Sequence, residues 1–165
     1  MVKLKDSLGV SLHKPSDVNS VLDLFAHVAR CEANYSRLRK LMQTNKTREF
    51  QSRLVEFSNG AGALVFDHSK ISLYTSTVTI RQTSTEELTN LNLKLHVYHD
   101  TRAAEVVSYQ HHTNFRVLET KPNPPRTQRF EKVEMNRFLG ELLDHCLLHG
   151  KPLNAETEQG SSIST

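Results

Sequence analysis

Leu91–Gln110 reads LNLKLHVYHDTRAAEVVSYQ, and this stretch decides the fold. Leu91, Leu93, Leu95 and Val97 alternate with Asn92, Lys94, His96 and Tyr98, the period-two pattern of a strand with one face buried. His99-Asp100-Thr101-Arg102 comes next, where Asp and Thr favour turning, and then a second β-type run, Ala103 to Tyr109. The reading is an antiparallel hairpin at the centre of a sheet. Pairing Tyr98 with Ala103 sets Val97 opposite Ala104, His96 opposite Glu105 and Leu95 opposite Val106. In that register Leu95, Val97, Ala104 and Val106 face the core, while Lys94, His96, Tyr98 and Glu105 gather on the other side.

Upstream of the hairpin the strand signals continue. Ile71 to Gln82 is rich in Thr, Val and Ile, which suit a pleated surface. Ala63 to Phe66 is a short strand, and Phe50 to Phe57 precedes it across Ser58-Asn59-Gly60-Ala61-Gly62, a turn whose Asn and Gly tolerate positive φ. Downstream, Asn114 to Leu118 adds an edge strand.

The flanks change to helical spacing. Ser16 or Asp17 caps a helix on which Val18, Val21, Leu22, Phe25, Val28, Ala29, Tyr35, Leu38, Leu41 and Met42 form an apolar stripe, with a break placed near Cys31. The sheet is the expected cover for the whole stripe. Lys121 to Arg129, KPNPPRTQR, holds three prolines and reads as non-helical. After it Phe130, Val133, Phe138, Leu139, Leu142, Leu143, Cys146 and Leu147 form a second stripe, with Glu131 and Glu134 near the helix start and Gly150 as a left-handed cap. The fold class is therefore α+β: an antiparallel sheet of five or six strands flanked by an N-terminal and a C-terminal helix on one face. Residues 1–15 read as a flexible arm, 16–151 as one domain and 152–165 as a disordered tail.

Composition narrows the function classes. A chain of 165 residues with 37% hydrophobic and 24% charged residues fits one globular domain with a core. A net charge of +3 is milder than that of a dedicated nucleic-acid binder. The N-terminal stretch lacks a signal h-region, and no run approaches the length of a membrane span. The expected setting is cytoplasmic, with Cys31 and Cys146 reduced, buried and unpaired.

Four blocks carry a resemblance. CEANYSRLRKLM (31–42), TSTVTIRQTS (75–84), LKLHVYHDTRAAEV (93–106) and EKVEMNRFLGELLDHCLLHG (131–150) resemble, in this order, the YqiB-like family of small bacterial proteins. The family is a domain of unknown function, so the resemblance implies a bacterial cytosolic origin and no activity, and it brings no catalytic motif. Lys121-Pro122-Asn123-Pro124 and Gln128–Lys132 depart from the family pattern ahead of the last helix.

Three groupings bear on chemistry. His96, Tyr98 and Glu105 share a face with cross-strand Cβ atoms about 5 Å apart, close enough for a carboxylate to orient an imidazole for acid–base work. An ordinary surface pair has the same composition. His145 and His149 stand four apart on a helix, the spacing of a zinc pair, but Cys146 occupies the place where a metalloprotease has Glu. His111 and His112 are adjacent and point to opposite faces of a strand. Between Arg37 and Arg53 lie Arg37, Arg39, Lys40, Lys46, Arg48 and Arg53 with a single acid, Glu49. With Lys121, Arg126 and Arg129 near the last helix, these are candidates for anion contact, against the plainer reading of a solvated face. The sequence reading is a small binding or adaptor protein with no cofactor and no assigned metal site, recognising a protein or a small anionic ligand. The alternatives are a hydrolase or phosphate-handling enzyme using His96 and Glu105, and a nucleic-acid-binding accessory.

Overall fold

The structure is a computed structural model that describes residues 16–43, 50–58, 62–83, 91–111, 114–118 and 126–154. Its elements in order are α1 (Ser16–Met42), β1 (Phe50–Phe57), β2 (Ala63–Lys70), β3 (Thr75–Thr83), β4 (Asn92–Tyr98), β5 (Ala103–His111), β6 (Asn114–Val117), α2 (Arg126–His149) and β7 (Gly150–Asn154). The strands form one antiparallel sheet in the order β6-β5-β4-β3-β2-β1-β7. The class is α+β, as read from the sequence, and the sheet has seven strands where five or six were expected. The seventh is β7, whose Pro152 sits on the sheet's edge, where a missing N–H is tolerated.

The hairpin register is the expected one. His96 pairs with Glu105, Val97 with Ala104 and Leu95 with Val106. Beyond this point a bulge intervenes, because Lys94 pairs with Ser108 and Val107 is left over. The polar groups released there are taken up from outside the ladder. Leu118 N–H donates to the Val107 carbonyl at 2.8 Å, and Val106 N–H donates to Asn136 Oδ1 at 3.0 Å.

One sheet face is dry. Val55, Leu64, Phe66, Val78, Ile80, Leu93, Leu95, Val97, Ala104 and Val106 pack there against Tyr35, Leu38, Leu41 and Met42 of α1 and Leu139, Leu143 and Cys146 of α2. Both cysteines are free and buried, as expected. The helices lie side by side. Asn34 Nδ2 donates to the Asn136 carbonyl at 3.0 Å, and Arg37 Nε meets Asp144 Oδ1 at 2.7 Å, so residue numbers rise together and the helices run parallel. Gly140 permits the approach, since a Cβ there would stand 3.0 Å from Asn34 Oδ1.

The end of α1 is finished by β1. Arg53 Nη1 donates to the Leu41 carbonyl at 2.5 Å, and Gln51 Nε2 donates to the Met42 carbonyl at 3.3 Å. A helix leaves its last carbonyls without internal partners, and a cation at that end also complements the helix dipole. Arg53, read from sequence as part of a basic surface, is instead a buried cap. Gln43 comes next, with φ 43°.

Several boundaries move. α1 has no break at Cys31. β2 continues to Lys70, and Ile71–Tyr74 is the connection ahead of β3 rather than its beginning. α2 starts at Arg126, directly after the last proline, because a proline ring crowds the residue ahead of it and leaves the residues after it free to enter a helix. Glu131 and Glu134 therefore lie beyond its first turn. Gly150 is not a left-handed cap, since positive φ occurs among the described residues at Gln43, Gly62 and Arg102. Its requirement is space: an added Cβ would overlap Val55 Cγ1 and stand 2.5 Å from the Cys146 carbonyl oxygen. The largest revision concerns α1, where Val21, Phe25 and Val28 are exposed although Tyr35, Leu38 and Leu41 are buried.

Candidate functional site

Period-two alternation sends His96, Tyr98 and Glu105 away from the dry face, and the structure brings them together as the register requires. Tyr98 Oη donates to Glu105 Oε1 at 3.2 Å and lies 3.5 Å from His96 Nδ1. Among the described residues no hydrogen bond joins His96 to Glu105 directly; Tyr98 stands between them. Glu105 gives its second oxygen to Lys132 Nζ of α2 at 2.8 Å, in an ion pair whose side chains are only 14% and 20% exposed. Burial, and then the Glu105 charge, push the Tyr98 phenol up to about 12.

Two residues of α1 complete this cluster and were not among the site candidates read from the sequence. His27 and Cys31 stand one turn apart on one face, with Nε2 and Sγ separated by 3.7 Å. One donor atom from each of His27, Cys31 and Glu105 lies within 4.8 Å of the others. Burial, and then the Glu105 charge, raise the Cys31 thiol to about 11. Burial holds His27 below its usual value, helped by the Lys132 charge and opposed by Glu105. The thiol is therefore protonated and the imidazole neutral near pH 7, the reverse of an activated cysteine nucleophile. The sequence did contain a signal, since His27 and Cys31 have the i, i+4 spacing for which His145 and His149 were noticed. Lys132 carries none, because only the crossing of α2 over β5 brings it near.

A second polar cluster sits where β3 and β4 meet the turn. Ser76 Oγ is 2.8 Å from His99 Nε2, and Tyr35 Oη is 3.4 Å from His99 Nδ1. Burial, followed by Arg39, keeps His99 below its ordinary pKa and hence neutral. The pair resembles a serine–base dyad, but Ser76 is 1% exposed and faces the core. The bond ties β3 to the turn at the hairpin end.

The other sequence candidates are dispersed. The His145 and His149 rings lie 4.9 Å apart on the exposed side of α2, with His145 against Phe57. Arg37 pairs with Asp144 and Arg53 caps α1, while Arg39 and Lys40 are exposed. Lys46, Arg48, His112 and Lys121 lie outside the described residues; Arg126 opens α2, and Arg129 is exposed on it.

The fold and the cluster define a small α+β domain with a half-buried His–Cys–Tyr–Glu–Lys constellation at the α1–β5–α2 junction. The chain belongs to a family described as "Protein of unknown function (DUF1249)", whose model matches residues 37–152. It is 35% identical over 124 residues to the "Uncharacterized protein YqiB" of Escherichia coli strain K12, covering 73% of this chain and 85% of that protein. The proteins of the same description in strains O6:H1 and O157:H7 match to the same extent. No solved structure matches. Among the described residues no helix is long and apolar enough to cross a membrane.

Proposed function

We propose that the protein is a binding module that docks another protein through the first half of α1. The observation that carries this reading is the exposure of Val21, Leu24, Phe25 and Val28, which are 50%, 60%, 68% and 45% accessible. They recur at i, i+3, i+4 and i+7 and so form one stripe on α1. A contiguous apolar helix face left in water marks an interaction surface, and this spacing is that of a helix laid into a partner's apolar groove. Ile71, Leu73 and Tyr74, in the connection ahead of β3, are further exposed apolar side chains that support a binding role. The enzyme alternative built on His96 and Glu105 draws less support, because the Glu105 carboxylate is already engaged by Tyr98 and Lys132.

The test places a photo-crosslinking residue at position 25, and at exposed position 148 of α2 as a control, in the native host. The reading expects one discrete protein adduct from position 25 and none from position 148. The purified partner should then bind the wild-type chain directly and lose at least about tenfold in affinity against Phe25→Asp, as anchor residues do. Adducts to a second copy of this chain, or equal binding by Phe25→Asp, would overturn it.

A further inference from the structure

We propose that His27, Cys31 and Glu105 form a binding site for a divalent transition-metal ion of the zinc class. The donor set is an imidazole nitrogen, a thiol sulfur and a carboxylate oxygen, which together suit zinc. Among the described residues this is the one group of three or more His, Cys, Asp or Glu side chains close enough to share an ion.

The geometry is nearly assembled. Ligands around a tetrahedral zinc with bonds of about 2.0–2.3 Å stand roughly 3.3–3.8 Å from one another. His27 and Cys31 are already 3.7 Å apart, held by a single turn of α1. Only Glu105, within 4.8 Å, has to close in, and a carboxylate moves that far by rotating its own side chain. Tyr98 donates to Glu105 and orients it from behind, the usual arrangement around a ligating carboxylate. The fourth position is left to water or a ligand.

Lys132 is the opposing feature. Its ammonium holds Glu105 at 2.8 Å and adds a positive charge beside the would-be ion. The ion and the ammonium therefore compete for one carboxylate. When the ion binds, Cys31 releases its thiol proton to solvent, and Lys132 swings outward along its partly exposed stem. A site of this design binds reversibly, with Lys132 setting the affinity.

Cobalt(II), which replaces zinc and is coloured, provides the measurement. Titrating the full chain should give a thiolate-to-cobalt charge-transfer band that saturates at a single ion per chain. Cys31→Ser should abolish the band, and His27→Ala should weaken binding at least about tenfold. Cys146→Ser, which alters the other thiol, and the double variant His145→Ala/His149→Ala should keep the band. Lys132→Met should bind about three- to tenfold more tightly by removing the competing charge, and this gain cannot come from a folding defect. Absence of a thiolate band in the wild-type chain, its persistence in Cys31→Ser, or an unchanged or weaker affinity in Lys132→Met would each overturn the proposal.

Discussion

The two halves of α1 share one helical periodicity and have opposite surroundings. Tyr35, Leu38, Leu41 and Met42 lie within the core, at 6% exposure or less. Val21, Leu24, Phe25 and Val28 follow the same helical period one stretch earlier and stand in solvent. The boundary falls at His27 and Cys31, where α1 meets β5 and α2. Apolar periodicity states that a helix has a face to cover, but it does not state what covers it. For the second half the cover is the sheet; for the first half no described residue covers it, and the docking proposal rests on this difference.

The largest effect that can break the comparison lies in the buried half. Leu38→Ala should lower stability by about 2–5 kcal/mol in urea unfolding, through a cavity against the sheet. A loss below about 1 kcal/mol would mean that this half is not core either. Gly150→Ala comes next. Its Cβ would meet Val55 and the Cys146 carbonyl, and overpacking of this kind costs about 1–3 kcal/mol. An unchanged midpoint would show that β7 is not seated on β1 as described.

Acid unfolding sharpens the account of the sheet end. His68 is 8% exposed, and burial followed by the nearby His99 holds its pKa below the usual value. The unfolded chain then takes up the proton first, so stability is complete above the ordinary value of about 6.5 and declines as pH falls from there toward the folded pKa. His68→Gln should flatten that decline. An identical pH profile in the variant would place the acid sensitivity at another group.

His96→Ala should change stability by less than about 1 kcal/mol, as surface pairs do, whereas its neighbour Leu95→Ala should cost about 2–5 kcal/mol. Equal losses would contradict the register that pairs His96 with Glu105.

Much of this was legible before any geometry. The buried face of the hairpin came from alternation, because a one-residue slip would have exchanged Leu95 and Val97 for His96 and Tyr98 at the core, and its register came from pairing Tyr98 with Ala103 across the turn. The α+β class and the two free buried cysteines came from periodicity in the same way. The illegible parts share a cause, which is contact between residues distant in sequence. Arg53 looks like any surface arginine until the end of α1 arrives above it. Lys132 becomes the partner of Glu105 only once α2 crosses β5. Gly150 reads as a cap until Val55 is seen to occupy the space of its missing side chain. The bulge at Val107 has no marker residue, and its polar groups are satisfied by Leu118 and, at the neighbouring Val106, by Asn136.

The most direct test of the divided helix is equilibrium urea unfolding of the double variant Leu24→Ser/Phe25→Ser beside the wild-type chain and Leu38→Ala. Removing two large apolar side chains from a covered face would cost several kcal/mol, at about 2–5 kcal/mol each. Because both stand in solvent here, the predicted result is a midpoint and slope within error of the wild type, with a total change below about 1 kcal/mol. A loss comparable to that of Leu38→Ala would show that the first half of α1 is packed within the chain itself and would contradict the docking face.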